Sequence, residues 1–281
     1  MNHLPHVAAR LFNTPLMIQA SKLETIISAL GGRFGVSSTD DFDMKVASAI
    51  SPNEKSVGYI VENEVAIIGV QGTLVHKSGY VSAMSGCTGY DSIRHQFSNA
   101  LTDPKVRAIC CDLESPGGEV SGCFPLAQMI YDARGTKPVM AILSDMACSA
   151  AYAVASACDV ITIPPTGIIG SVGVVVAHAD YSQKLEDEGI KITMIHYGDR
   201  KVDGSEAFPL SNPALAKIQK DVDTIGKMFV ATVARNRGMT AKAVRDTQAG
   251  TFLGREGVEI GFADEVLAPE HAFEALVNSI K

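Results

Sequence analysis

The sequence predicts an α/β fold in which a mostly parallel sheet is covered by helices on both faces. Near-continuous apolar segments, such as 138–143, alternate along the chain with helical patterns, such as 119–134. Strands that are apolar on both faces are typical of parallel sheets, because the crossover helices bury both sides. With 281 residues, of which 46% are hydrophobic, the chain can bury a full core.

The predicted elements follow one another with short connections. The first half contains strand 65–70, helix 91–101, strand 106–113, helix 119–134, strand 138–143, helix 148–157 and strand 160–163. The second half contains strand 174–176, helix 181–188, strand 191–195, helix 213–237, a shorter helix from Thr240 and a last strand within 263–267.

Three regions are predicted: a helical appendage at 1–55, a main domain at 56–268 and a C-terminal tail at 269–281. In the appendage an apolar stripe ends at two glycines, and it packs either on its own core or on a neighbouring subunit; the stripe consists of Leu23, Ile26, Ile27 and Leu30. The Gly- and Ser-rich stretch 79–89 is predicted to be a mobile loop bordering the substrate cleft.

Composition excludes several classes of function. The net charge of -7 and the scattered basic residues argue against nucleic-acid binding. The N-terminus has no signal-peptide pattern, and no apolar run is long enough for a membrane span. The six cysteines form no Cys-x-x-Cys pair and no zinc-like cluster, so we expect thiols in a reducing cytoplasm, with no disulfide, metal or cofactor.

The loop Ser115-Pro116-Gly117-Gly118 follows a predicted buried strand and precedes a predicted helix. Paired glycines there permit a tight turn and leave backbone N–H groups exposed. The loop has neither the spacing of a dinucleotide fingerprint nor a Gly-Lys-Ser/Thr, which argues against a phosphate cradle. An oxyanion hole and a plain turn remain open.

Ser149 and Lys201 are the candidate nucleophile and base. Ser149 begins a predicted helix of small residues, where an ordinary N-cap serine is the alternative, and Lys201 follows a predicted strand, where a solvated lysine is the alternative. A serine hydroxyl must give its proton to a neighbour, which can be a lysine kept neutral in an apolar pocket. With the glycine loop, the two residues predict a serine hydrolase.

These motifs resemble the signal peptide peptidase A family of serine proteases. The likeness covers about 57–268 and includes Gly170-Ser171-Val172-Gly173, the segment 251–257 and the segment 261–264. The family uses a Ser/Lys dyad on a fold related to caseinolytic protease and crotonase. The resemblance therefore implies that fold.

The resemblance also implies roles for individual residues. Ser149 is the nucleophile, Lys201 is the general base, and the Ser171 hydroxyl orients the lysine amine. The oxyanion hole comes from backbone N–H groups of Gly118 and Ala150, with Gly117 in the same loop. Many members carry Gly-Gly after the nucleophile where this chain has Ala150-Ala151, which affects substrate preference.

The N-terminal region extends the likeness to lambda-type phage capsid assembly proteases. The matching segments are 4–6, 12–17, 78–90, 146–150 and 201–204. This resemblance implies a homo-oligomeric protease that cleaves capsid, scaffold or portal proteins within the phage procapsid in the host cytoplasm. Members typically carry a long polar scaffold segment after the catalytic domain, and we expect none after Lys281.

Four alternatives remain open. One is a Ser-His-Asp hydrolase with His178 as base, because His178 follows Ser149 in the order that such triads have along the chain. Another is an acyl-coenzyme A enzyme of the crotonase superfamily, whose oxyanion loop can also contain paired glycines. The chain is also compatible with a bacterial cytoplasmic signal-peptide-peptidase-like protease, or with an assembly component that has lost activity.

Overall fold

A computed structural model describes residues 10–34, 58–77 and 86–281. Their helices are α1 Ala20–Phe34, α2 Tyr90–Thr102, α3 Cys123–Asp132, α4 Ala150–Ser156, α5 Ser182–Asp187, α6 Asn212–Arg237, α7 Ala241–Asp246, α8 Gly254–Glu259 and α9 Pro269–Ser279. Their strands are β1 Leu16–Ile18, β2 Ile60–Glu62, β3 Val65–Gln71, β4 Thr73–Val75, β5 Cys87–Gly89, β6 Ala108–Ser115, β7 Gly117–Glu119, β8 Val139–Cys148, β9 Val160–Ile163, β10 Ile168–Gly170, β11 Thr251–Leu253 and β12 Glu265–Val266.

The larger sheet is built around β6 and β8. Its strand order is β11-β10-β8-β6-β3-β2, with β9 pairing with β8 and β12 pairing with β9. Five pairings are parallel, and the two at the ends, β2 with β3 and β10 with β11, are antiparallel. The predicted mostly parallel α/β fold is confirmed.

Strand β6 explains why both faces of this sheet are covered. Its side chains alternate between two apolar clusters, because successive residues of a strand point to opposite faces. Ile109 and Leu113 belong to the main core with α2, α3, α4 and α6. Ala108 and Cys110 pack instead with Ala272 and Leu276 of α9. The segment predicted as a tail at 269–281 is therefore a helix that covers the second face.

A second, smaller sheet has the order β1-β7-β4-β5. Its strand β7 contains the two glycines of the glycine loop and extends to Glu119, so the predicted helix 119–134 begins only at Cys123. Strand β1 and helix α1 form a small apolar cluster that includes Leu16, Ile18 and Leu23. Leu23, Ile26 and Ile27 of the N-terminal stripe thus pack on their own chain beside β1, and α1 continues through the two glycines to Phe34.

Two predictions about local structure need correction or lie outside the described residues. The predicted strand 191–195 does not form, and Ile195 is 98% exposed. A strand needs a partner for its backbone groups, and no neighbouring strand lies beside this segment in the described part of the chain. Of the predicted mobile loop 79–89, residues 79–85 lie outside the described residues, and 87–89 form β5.

No membrane-crossing helix is found in 10–34, 58–77 or 86–281, since none of the helices there is both long and apolar enough.

Candidate active site

Ser149 lies between the end of β8 and the start of α4. Its backbone has φ 56° and ψ -118°, a conformation that costs a non-glycine residue about 1–3 kcal/mol. The Ser149 N–H donates to the Gly170 carbonyl oxygen at 2.8 Å, which holds this turn against the next strand. The side chain is 1% exposed, and its Oγ has no hydrogen-bond partner among the described residues.

The glycine loop lies directly against the start of α4. A Cβ placed on Gly117, whose φ is +102°, would lie 2.9 Å from the Cys148 oxygen and 3.0 Å from the Ala150 nitrogen. Glycine is required here because both the positive φ and the close backbone approach exclude a side chain. The loop and the nucleophile turn are therefore neighbours, as an oxyanion hole needs.

The backbone N–H groups around Ser149 differ in whether they already have a hydrogen-bond acceptor. The Gly117 N–H donates to Ser115 Oγ at 3.2 Å, so it is already engaged, and Ser115 Oγ in turn donates to the Gly72 oxygen at 2.6 Å. Ala150 opens helix α4, where the first N–H groups have no intrahelical acceptor. A developing negative charge beside Ser149 would meet these N–H dipoles at a helix N-terminus.

Ser171 lies beside Ser149 because of the strand register. Gly170 of β10 is opposite Cys148 of β8 in a parallel pair, so the residues that follow them leave the sheet at the same edge. Ser171 also has a positive φ, 56°, and its N–H donates to the Gly250 oxygen at 2.8 Å. Two neighbouring serines with unusual backbone angles thus flank the end of β8.

Lys201 is not joined to this group. It lies in a turn where its N–H donates to the Gly198 oxygen at 3.1 Å, and its side chain is exposed. The Ser149 hydroxyl has no partner in the described chain, so no Ser149–Lys201 hydrogen bond exists in this arrangement. The structure brings Ser149, Ser171 and the glycine loop together and leaves Lys201 in solvent.

The ring of His178, the alternative base, contacts Asn13 instead of the aspartate that a Ser-His-Asp triad would use. Its Nδ1 lies 2.7 Å from Asn13 Oδ1, and its Nε2 is buried without a partner among the described residues. Asp180 Oδ1 accepts a hydrogen bond from the Ser182 N–H at 2.8 Å. Asn13, a residue that sequence reasoning missed, therefore orients the His178 ring.

A partly buried arginine, also missed by sequence reasoning, fixes helix α4 at its other end. Arg134 donates four hydrogen bonds to backbone carbonyls, those of Ser156, Ala157, Cys158 and Asn236. The first three close α4, and the fourth joins it to α6. No periodicity or motif marks an arginine after a helix as such a clamp.

The cysteines near Ser149 are not competing nucleophiles. Burial raises the pKa of the Cys148 thiol and of the Cys123 thiol to about 12 each. A thiol reacts as the thiolate, so both are inert at neutral pH. In the described ranges no group of three His, Cys, Asp or Glu side chains is arranged to hold a metal ion.

Comparisons with known proteins agree on one family. The sequence profile described as Peptidase family S49 matches residues 132–280. The chain is 36% identical over 99% of its length to the head-tail preconnector protein GP5 of Enterobacteria phage P21, and 33% identical over its whole length to the capsid assembly protease C of Escherichia phage lambda. It spans 58% and 67% of the lengths of those two proteins.

A more distant relative is a signal peptide peptidase SppA, named as putative, from Enterococcus faecium, which is 26% identical over 66% of this chain and 55% of its own length. Both the profile and the phage relatives confirm the resemblance inferred from the motifs. Peptidases of this kind have the caseinolytic protease/crotonase-like fold, in agreement with the parallel sheet and its helices. The chain belongs to peptidase family S49.

Proposed function

We propose that this chain is a serine endopeptidase in which Ser149 attacks the substrate carbonyl and Lys201 accepts its proton. One observation carries the proposal: a buried serine with no hydrogen-bond partner is held in a strained backbone conformation at a helix N-terminus, against a glycine loop. Strain of this kind persists only where the surrounding structure imposes it, and it is concentrated at functional sites.

The chemistry follows from the groups around Ser149. As its oxygen bonds to the substrate carbonyl carbon, the proton moves to the Lys201 amine, and the negative charge on the carbonyl oxygen is stabilised by N–H groups of Gly118 and Ala150. The amine then gives a proton to the departing peptide nitrogen, which leaves an acyl-enzyme for water to hydrolyse. Ser171, beside Ser149, orients the amine.

Lys201 must leave solvent to act as this base. The preceding segment supports such a movement, because it exposes an unusual number of large apolar side chains: Ile190, Ile192, Met194, Ile195 and Tyr197. Large exposed apolar patches mark surfaces that become covered by a partner. We infer that assembly of several copies covers this segment and brings Lys201 to Ser149, so that the isolated chain is inactive.

The phage relatives support a role in head maturation. Similarity to them extends over essentially the whole chain, including its N-terminal region, whereas the signal peptide peptidase covers only part of it. We propose that the substrates are capsid, scaffold or portal proteins, and that the protease acts within the procapsid in the host cytoplasm.

The test is mass spectrometry of head proteins co-expressed with this chain or with its Ser149→Ala variant. We expect new peptide termini with the unchanged chain and none with the variant. Equal patterns in both would contradict proteolysis and favour an assembly component without activity.

The base is tested separately. Lys201→Ala should abolish cleavage, whereas Lys220→Ala, a matched change of an exposed lysine on helix α6, should not. His178 deserves the same test because its Nε2 is buried and unpartnered. Loss of cleavage in His178→Ala together with full activity in Lys201→Ala would assign the base to His178.

A further inference from the structure

Strand β1 pairs with the strand that contains the two glycines of the glycine loop. It pairs antiparallel with β7, so that Leu16, Met17 and Ile18 are opposite Glu119, Gly118 and Gly117. All three β1 side chains are buried, at 3%, 0% and 5% exposure. The N-terminal segment thus covers the edge of the site at which the proposed oxyanion donors lie.

The register directs the Met17 carbonyl to those donors. Gln19, opposite Pro116, donates its N–H to the Pro116 oxygen at 2.9 Å. Hydrogen-bonded and non-bonded pairs alternate in an antiparallel ladder, so the pair two residues along, Met17 and Gly118, is again a hydrogen-bonded one. The Gly118 N–H therefore faces the Met17 carbonyl oxygen.

The same carbonyl lies near the first N–H of α4. A Cβ placed on Gly117 would be 2.2 Å from the Met17 oxygen and 3.0 Å from the Ala150 nitrogen, so both atoms lie around one point. The Met17 carbonyl therefore lies beside both proposed donors, in the part of the site where they would stabilise the charge of a substrate carbonyl.

The other edge of β1 is also paired. Leu16 exchanges two backbone hydrogen bonds of 2.9 Å with Val175, and the Asn13 N–H donates to the Ala177 oxygen at 2.8 Å. An extended peptide held on both edges in this way is the standard mode of strand addition. Segment 117–119 lies along one edge of β1 and Val175 along the other, so the two form the sides of a groove that β1 fills.

The side chains of β1 alternate between two apolar clusters, as those of a bound extended peptide would. Met17 enters the main core cluster, to which Ala147 and Ala150 also belong. Leu16 and Ile18 point the other way, into the small cluster with α1. The groove therefore offers a buried apolar site, in which the unbranched Met17 side chain is fully covered.

We propose that β1, Leu16–Ile18, is a built-in pseudosubstrate: it occupies the peptide-binding groove, keeps Ser149 covered, and displays the preferred substrate, an extended segment with a methionine-like residue before the scissile bond. This inference rests on the proposed function. An ion pair fastens the segment, since the Arg10 guanidinium binds the Glu119 carboxylate through Nε and Nη2, the latter at 3.0 Å.

The test measures how fast a fluorophosphonate probe labels Ser149 at protein concentrations at which the copies assemble, with labelling located by mass spectrometry. Met17→Asp places a charge in the dry pocket and expels the strand, and Arg10→Ala removes the fastening without changing the core. Each should label at least about tenfold faster than the unchanged chain, because access to a covered group follows the population of its open state. Lys22→Ala, an exposed change on α1, is the matched control and should leave the rate unaltered.

A peptide with the sequence of residues 13–19 should then slow labelling of the Arg10→Ala variant, whereas the same peptide with aspartate in place of methionine should not. Equal labelling rates in all four proteins would overturn the pseudosubstrate while leaving Ser149 as the nucleophile. Absence of labelling in every protein would remove the proposed function as well. Slowing by both peptides alike would overturn the assignment of the methionine pocket.

Discussion

The Arg134 clamp gives the sharpest test of how the site is held in place. Arg134→Met keeps much of the side-chain volume and removes the guanidinium, which donates four hydrogen bonds to backbone carbonyls. At about 1 kcal/mol of net stabilisation for each bond, the loss is about 4 kcal/mol. Because the Arg134 side chain is 27% exposed, water can reach part of the vacated space and lowers the loss to about 3 kcal/mol.

The assay is chemical unfolding with a thermal melt alongside. A loss of this size lowers Tm by about 6–12 °C in a chain of this length. Arg107→Met is the control, because Arg107 pairs with Glu64 only at the surface, at 3.4 Å, and should cost less than about 1 kcal/mol. If the two variants unfolded at the same denaturant concentration, the clamp would not stabilise α4, and the reasoning would fail.

Three further predictions concern packing and pH. Gly118→Ala should prevent folding or abolish cleavage, measured by circular dichroism and peptide hydrolysis, because its Cβ would lie 1.8 Å from the Leu74 oxygen. Gly226→Ala should instead raise the free energy of unfolding by about 0.5–1 kcal/mol in denaturant titrations, since it lies inside helix α6 with open space around it. Burial raises the pKa values of Cys123 and Cys148 in the folded chain. As pH rises, the unfolded state therefore loses these thiol protons before the folded state does. The free energy of unfolding should fall between about pH 8.5 and 12. Cys123→Ala should reduce that slope, and an unchanged slope in unfolding measurements across this range would contradict it.

The sequence was most informative where periodicity was long. Strands β6 and β8 and the helices packed on them were predicted because burial on both faces leaves continuous apolar runs. Strands β1, β4 and β7 were missed, since three residues are too few to show a period. The segment 191–195 has the pattern of a strand, but the pattern does not reveal whether a partner strand exists.

The sequence also predicts only part of the candidate site. Ser149, Gly118, Ala150 and Ser171 follow the ends of neighbouring elements, so their proximity follows from the topology of a parallel sheet. Lys201 lies in the long connection between α5 and α6. The path of this connection depends on the surface that packs against it, and no local sequence pattern encodes that surface. The covering strand β1 comes from a part of the chain more than 100 residues from Ser149 in sequence, where only three-dimensional pairing reveals its position.

The attachments of helix α4 have a consequence for protein synthesis. Besides the arginine clamp, Tyr152 of α4 stacks on Phe262 with ring centres 4.7 Å apart, and its hydroxyl donates to the Phe262 carbonyl. The helix that begins at the nucleophile is thus fastened to residues translated more than 100 positions later. A ribosome-bound nascent chain that still lacks Phe262 lacks these contacts, so the helix that follows Ser149 is held in place only after residues near 262 have been synthesised.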